Sequence, residues 1–211
     1  MIVAVLPVKS PRNAKQRLSG VLSASDREAL AWLLYKQTLA ALFQASGIDG
    51  IAVATSDARV SEHARGSGAL VFAEDEQVSH SISADAACLR ARQVGATTVL
   101  LVPIDVPLAT PDDFSRLAAA TQPGLIVVPS SDGTGTNALV RTPPDVIESR
   151  FGPGSFRAHI DQARMKNVPA GVLRLQGLMF DIDTPEDVAE LLSRAPNAPA
   201  SEFLRTACVS K

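Results

Sequence analysis

Short apolar runs alternate with longer amphipathic stretches along this chain. Residues 2–6, 51–55, 70–72, 98–102 and 125–128 are continuous runs dominated by Val, Ile, Leu and Ala. Runs of this kind mark strands covered on both faces, not strands that alternate polar and apolar positions. Helical patterns separate them. Ser25 and Glu28 read as an S-x-x-E capping box, which predicts a helix reaching about residues 46–47. Thr110-Pro111-Asp112-Asp113 and Thr184-Pro185-Glu186-Asp187 repeat one start signal: Thr as N-cap, Pro at the first helical position, acids in the first turn. Further helices are predicted over 57–65, 83–94 and 155–166, and late strands over 137–141 and 171–175. Strand and helix in alternation imply an α/β fold, a mainly parallel sheet with helices on both faces. The expected organisation is one domain over 1–195. A Pro-, Ala- and Ser-rich tail over 196–211 reads as loosely attached.

Composition narrows the functional classes. The chain has 211 residues, 46% hydrophobic and 20% charged, with a formal charge of −2. That balance gives no electrostatic footprint for nucleic acid as the main partner. No apolar run reaches the ~18 residues a membrane span needs. The opening MIVAVLPVK places no basic region before its apolar run and reads as a strand, not a signal peptide. Cys88 and Cys208 lie far apart with no histidine pattern beside them, which suits a reducing compartment and a cytoplasmic protein. Nothing in the pattern defines the oligomeric state; a homodimer stays open.

In an open α/β sheet, ligands sit beyond the carboxyl ends of the strands, so the loops leaving those ends are searched for chemistry. The first, which leaves the opening strand at Pro7, carries Lys9, Arg12, Lys15 and Arg17 in an otherwise acidic chain. Such a cluster can neutralise a triphosphate during phosphoryl transfer. The fourth strand runs into Pro103-Ile104-Asp105-Val106-Pro107, which sets Asp105 on a stiff loop. A hard oxygen ligand there suits Mg²⁺, which binds through one or two carboxylates plus substrate phosphates. Asp181 and Asp183 form a second acidic site. In extended backbone they point to the same side, and either could complete the shell begun by Asp105. Alternatively, Asp183 serves only the helix start beside it.

Two glycine-rich segments follow, Asp132-Gly133-Thr134-Gly135-Thr136-Asn137 and Phe151-Gly152-Pro153-Gly154-Ser155-Phe156. Glycines allow close approach of backbone amides to an anion, and the second segment opens a helix. Gly154 and Ser155 are therefore a candidate cradle for a phosphate or carboxylate. Neither segment fits the dinucleotide or Walker pattern. His63, His80 and His159 have no metal spacing. His159, one turn past Ser155, either faces an acceptor or is a satisfied core residue. No nucleophile elbow is present.

The ordered series P-V-K-x(5)-A-K-x-R-L, P-x-D-x-P-L, D-G-T-G-T-N, F-G-P-G-S-F and D-x-D-T-P-E-D resembles the 2-phospho-L-lactate guanylyltransferases of coenzyme F-420 biosynthesis. The resemblance runs from Pro7 to Leu192. It implies a nucleotidyltransferase (nucleotide-diphospho-sugar transferase-like) three-layer α/β/α sandwich. It also implies GTP and Mg²⁺, and transfer of GMP to the phosphate of 2-phospho-L-lactate, phosphoenolpyruvate or 3-phospho-D-glycerate. Carried over by position, Pro7, Lys9, Lys15, Arg17, Ser83 and Pro103 are expected to hold the nucleotide. Asp105 with Asp181 or Asp183 is expected to hold the metal, and Thr136, Gly152, Gly154 and Ser155 the acceptor. Ser83 stands where the family usually has asparagine. Two other readings share part of the pattern: a nucleotidyltransferase of molybdopterin-type cofactors, and a nucleotide-binding protein without catalysis.

Overall fold

The computed structural model describes residues 1–74 and 79–209. Seven strands form one sheet: β1 (Ile2–Pro7), β2 (Gly50–Thr55), β3 (Leu70–Ala73), β4 (Thr98–Leu101), β5 (Gly124–Pro129), β6 (Thr136–Thr142) and β7 (Ala170–Val172). Their spatial order is β3-β2-β1-β4-β6-β5-β7. Every pairing is parallel except those of β6, which runs against both β4 and β5. The mainly parallel sheet predicted from the continuous apolar runs is present.

Alternation along β1 sorts its side chains onto two layers. Ala4, Leu6 and the following Val8 share a core with Tyr35, Leu39 and Leu42 of α1 (Ala24–Gln44), Val60 and Ala64 of α2 (Ala58–Gly66), and residues of a later helix. Val3 and Val5 face the opposite layer, where Ala84, Ala87, Cys88 and Ala91 of α3 (His80–Gln93) cover them. On the first face, α4 (Pro111–Ala119) adds Phe114 and Leu117. On the second, α5 (Ser155–Met165) adds Ala163. This is a three-layer α/β/α sandwich. The small alanines of α3 let that helix sit close to the sheet in a chain with few aromatics.

A third apolar cluster lies beside the sandwich. Leu18, Leu22, Leu30 and Leu34 meet Phe180, Ile182 and residues of the last two helices, α7 (Pro185–Arg194) and α8 (Pro199–Val209). A short α6 (Gln176–Met179) precedes them. The segment expected as a loosely attached tail is therefore largely a helix that buries Ala200 and Leu204 completely. Its apolar positions are spaced for one helical face, a signal the Pro-Ala-Ser composition masks. Residues 210–211 of the predicted tail lie outside the described residues. No helix among the described residues is long and apolar enough to cross a membrane.

Several boundaries differ from the sequence reading. The capping box of α1 is Ser23 with Asp26, not Ser25 with Glu28: Ser23 Oγ accepts from Asp26 N at 3.1 Å, and Asp26 Oδ2 accepts from Ser23 N at 3.3 Å. Aspartate reaches back as glutamate does. The helix stops at Gln44. Ser79 caps α3 by accepting from Ile82 N, so that helix begins three residues before the predicted start. β7 is shorter than predicted, because Leu175 is already the N-cap of α6. Thr110 and Thr184 cap as expected, each with a full capping box.

Candidate active site

The basic loop leaves β1 through two 3-10 turns, Pro11–Asn13 and Gln16–Leu18. Pro11 and Leu18 are buried and pin the loop at both turns. Lys15 sits between the turns with φ 53°, in the left-handed region. That conformation is costly for a residue with a Cβ and persists only where the surroundings enforce it. It aims the Lys15 side chain inward. Its Nζ donates to Asp105 Oδ2 at 2.9 Å and to Asp183 Oδ1 at 3.0 Å. Arg17 stays outside, 75% exposed, with Nη1 3.8 Å from Asp183 Oδ2.

The charges set one another's protonation. Burial opposes ionisation of Asp105, but the Lys15 ammonium and its hydrogen bond outweigh it and hold the carboxyl below its ordinary range. Burial likewise opposes the Lys15 charge, and Asp105 and Asp183 together raise its pKa above the ordinary value. Asp181 behaves oppositely. Burial and then the Asp105 charge push it up to about 6, against the Asn137 hydrogen bond.

Two clefts meet at this cluster. The larger, about 560 Å³, is lined by Pro7, Lys9, Ser10, Asn13, Lys15, Ser56, Pro103, Asp105 and Asp183 among others. Its size falls in the range of small-molecule sites. The smaller, about 140 Å³, is lined by Thr136, Asn137, Phe151 and Asp181. Pro7, His80, Pro103 and Asp105 line both. The sheet accounts for this. β1 and β4 are adjacent parallel strands, so Pro7 and the loop after Leu101 emerge side by side. β6, reversed beside β4, starts at the same edge and delivers Thr136 and Asn137 there.

D-G-T-G-T-N is the turn that reverses the chain into β6. Asp132 accepts from Thr134 N at 2.9 Å and from the hydroxyls of Ser130 and Thr134, bonds that hold its carboxyl down at about 2. Its glycines serve the hairpin: Gly133 has φ +75°, and Gly135 N donates to Ser130 Oγ at 2.7 Å.

The structure also redistributes several sequence-predicted residues. Asp181 and Asp183 do not face one point. Between them Ile182 is buried in the third cluster and donates its N–H to the Asp105 carbonyl, which leaves Asp181 on the smaller cleft and Asp183 on the larger. Among the described residues no three Asp, Glu, His or Cys side chains converge on a ready-made metal site. Ser83 is buried in α3 and lines neither cleft; one turn earlier, His80 does. The earlier helix start explains the shift. Gly152 and Gly154 hold positive φ with open space around them. The predicted amide cradle is partly spent, however: Ser155 N donates to Gly152 O and Phe156 N to Thr134 O, each at 3.1 Å. Ser155 itself is buried, and from this segment Phe151 reaches the smaller cleft. His159 is a satisfied core histidine in contact with Thr136. His63 lies away from both clefts, against Tyr35 and Trp32. Sequence reasoning missed His80, Asn137 and Phe151. The last two stand inside motifs already singled out, but glycine and threonine drew the attention there.

Asp105 and Asp183, held around a single ammonium, are a donor set suited to a hard cation. Two carboxylates with phosphate oxygens are how Mg²⁺ is commonly bound.

The family described as "Guanylyl transferase CofC like" matches residues 2–210. A phosphoenolpyruvate guanylyltransferase of Sphaerobacter thermophilus is 38% identical, the match covering 95% of this chain and 97% of that one. A 2-phospho-L-lactate guanylyltransferase of Methanothermobacter thermautotrophicus and a 3-phospho-D-glycerate guanylyltransferase of Colwellia psychrerythraea are each 31% identical, covering 96% and 97% of this chain and 89% and 96% of theirs. Among solved structures, a Desulfovibrio desulfuricans G20 protein assigned as a nucleotide-diphospho-sugar transferase superposes with TM-score 0.77 at 16% identity, covering 97% of this chain and 94% of its own. A manganese complex of Rv0371C from Mycobacterium tuberculosis H37Rv superposes with TM-score 0.53 at 21% identity, covering 92% and 99%. The fold is that of the nucleotide-diphospho-sugar transferase-like proteins, and the chain belongs to the CofC-like guanylyl transferases.

Proposed function

We propose that this nucleotidyltransferase moves GMP from GTP to the phosphate of a three-carbon phospho-acid, in the assembly of coenzyme F-420. An acceptor phosphate oxygen attacks the α-phosphorus of GTP. The bond from that phosphorus to the bridging oxygen breaks, and pyrophosphate leaves. The attacking oxygen is already anionic, so no general base is needed. The difficulty is the approach of two polyanions. Lys9 and Lys15, which line the larger cleft, and Arg17 beside Asp183 would offset the triphosphate charge. Thr136 and Asn137 offer polar groups to a compact acid in the smaller one. Asp105 and Asp183 would hold a divalent cation, Mg²⁺ by preference, which when bound adds positive charge against the phosphates.

The observation that carries this reading is the Lys15–Asp105–Asp183 cluster at the junction of a large and a small cleft. Phosphoenolpyruvate, 2-phospho-L-lactate and 3-phospho-D-glycerate are the acids to test, since relatives named for each resemble the chain over nearly its full length. The test measures pyrophosphate release with each acid against GTP, CTP and ATP. GTP with one of these acids is expected to give turnover. Turnover only with CTP, or turnover only when a pterin phosphate is added to the panel as acceptor, would transfer the protein to another cofactor pathway. No release from any pair would leave a nucleotide-binding protein without catalysis.

A further inference from the structure

His159 is wholly buried, yet both ring nitrogens are engaged. The backbone N–H of Arg150 donates to Nε2 at 2.9 Å. A nitrogen that accepts from an amide carries no proton, so the neutral ring bears its proton on Nδ1. Nδ1 lies 3.0 Å from Thr136 Oγ1. The direction of that bond follows: His159 donates and Thr136 accepts. The reverse polarity would put an N–H on Nε2, facing the Arg150 N–H. The neutral state is secured by burial, which lowers the ring's pKa to about 4. Thr136 lines the smaller cleft, and among the described residues its own O–H has no protein acceptor.

The relay is anchored from behind. Arg150 follows Ser149, whose N–H and hydroxyl both donate to Asp85, and buried Arg141 bonds Asp85 at 2.7 Å and Ser149 at 2.6 Å. The next residue, Phe151, donates its N–H to Ser81 Oγ at 3.0 Å. The loop segment that carries Arg150 past the ring is thereby tied to α3.

Resting on the acceptor site proposed above, we infer that His159 is a positioning residue: because its Nδ1 carries the proton and donates to Thr136, the threonine cannot spend its own O–H on the ring and keeps it for a hydrogen bond into the small cleft. An anionic phospho-acid has only acceptors on its phosphate and carboxylate. A hydroxyl whose proton is kept free of the ring, and oriented by the bond from Nδ1, suits such a ligand.

Four variants test this: Thr136→Val, His159→Gln, the double variant, and His159→Asn. Gln can accept from Arg150 but presents no donor at the Nδ1 position, whereas Asn places an amide N–H there. Thr136→Val and His159→Gln are each expected to raise the acceptor KM on the order of 10-fold, the cost of a hydrogen bond to a charged group, with the GTP KM unchanged. The double variant should lose no more than Thr136→Val alone, because His159 acts only through that hydroxyl. His159→Asn should recover most of the acceptor KM. Additive losses in the double variant, an equal rise in the GTP KM, or a wild-type acceptor KM in His159→Gln would each overturn the inference. Should His159→Gln fold poorly, the comparison of His159→Asn with Thr136→Val decides it: equal losses overturn it. Turnover of wild type with a phospho-acid but indifference of these variants defeats the inference alone; no turnover with any phospho-acid defeats the underlying function.

Discussion

Lys15 Nζ lies 2.9 Å from Asp105 Oδ2, across 90 positions of sequence. A second bond to Asp183 makes one ammonium the common counter-ion of two carboxylates at the mouth of the site. Positive charge at that point holds the buried Asp105 carboxyl ionised against the cost of desolvation.

Asp105→Asn is therefore expected to reduce turnover by roughly 100-fold or more, the typical cost of removing a key electrostatic group. Steady-state pyrophosphate release measures this. A variant with near wild-type turnover would remove Asp105 from the centre.

Lys15→Met leaves Asp105 and Asp183 without their shared partner. Breaking a well-buried ion pair costs about 3–5 kcal/mol, and partial exposure of both acids discounts that to roughly 1–3 kcal/mol. Without metal, the variant should unfold at a lower temperature than wild type. Added Mn²⁺ or Mg²⁺ should restore its stability more than it raises that of wild type, because the cation then replaces the missing charge. Equal responses of the two proteins in thermal denaturation would argue against a cation site between these carboxylates.

His159 makes stability depend on pH. Its pKa in the folded protein is about 4, below the value near 6.5 of an exposed imidazole. The unfolded chain thus binds the proton more readily. The stability from keeping His159 neutral is complete above about pH 6.5 and is lost as pH falls through 4. The loss amounts to about 3 kcal/mol. His159→Gln lacks this dependence, so the stability gap between it and wild type should narrow by that amount between pH 7 and pH 4. Parallel denaturation curves across this range would refute the account.

Leu204 of α8 is fully buried among side chains of the third cluster. Leu204→Ala is expected to cost about 2–5 kcal/mol in stability, the usual range for a buried leucine. KM values should not move, since α8 lines neither cleft. Chemical denaturation with parallel kinetics checks both halves. An unchanged midpoint would mean that α8 docks less firmly than its burial implies.

What could be read from the residues was whatever depends on near neighbours. Continuous apolar runs identified most of the sheet, because strands covered on both faces are made mainly of apolar residues. Thr110 and Thr184 announced their helices because a cap acts within three residues. Lys15 and Asp105 were named as candidates because loops leaving parallel strands converge at one edge. Where two local signals competed, the sequence alone misled: Ser23 with Asp26 displaced Ser25 with Glu28, and Ser79 moved the start of α3.

The tertiary structure decided what depends on residues far apart. Reversal of β6 beside β4 brings Thr136 and Asn137 to the edge occupied by Asp105, and strand direction leaves no mark in an apolar run. Burial of Ile182 separates Asp181 from Asp183, although their spacing placed them together. The ring of His159 has its proton assigned by an amide nine positions away and its partner 23 positions away. A side chain's chemistry comes from its residue type, but its charge, its tautomer and the direction of its hydrogen bonds come from the groups that folding sets against it.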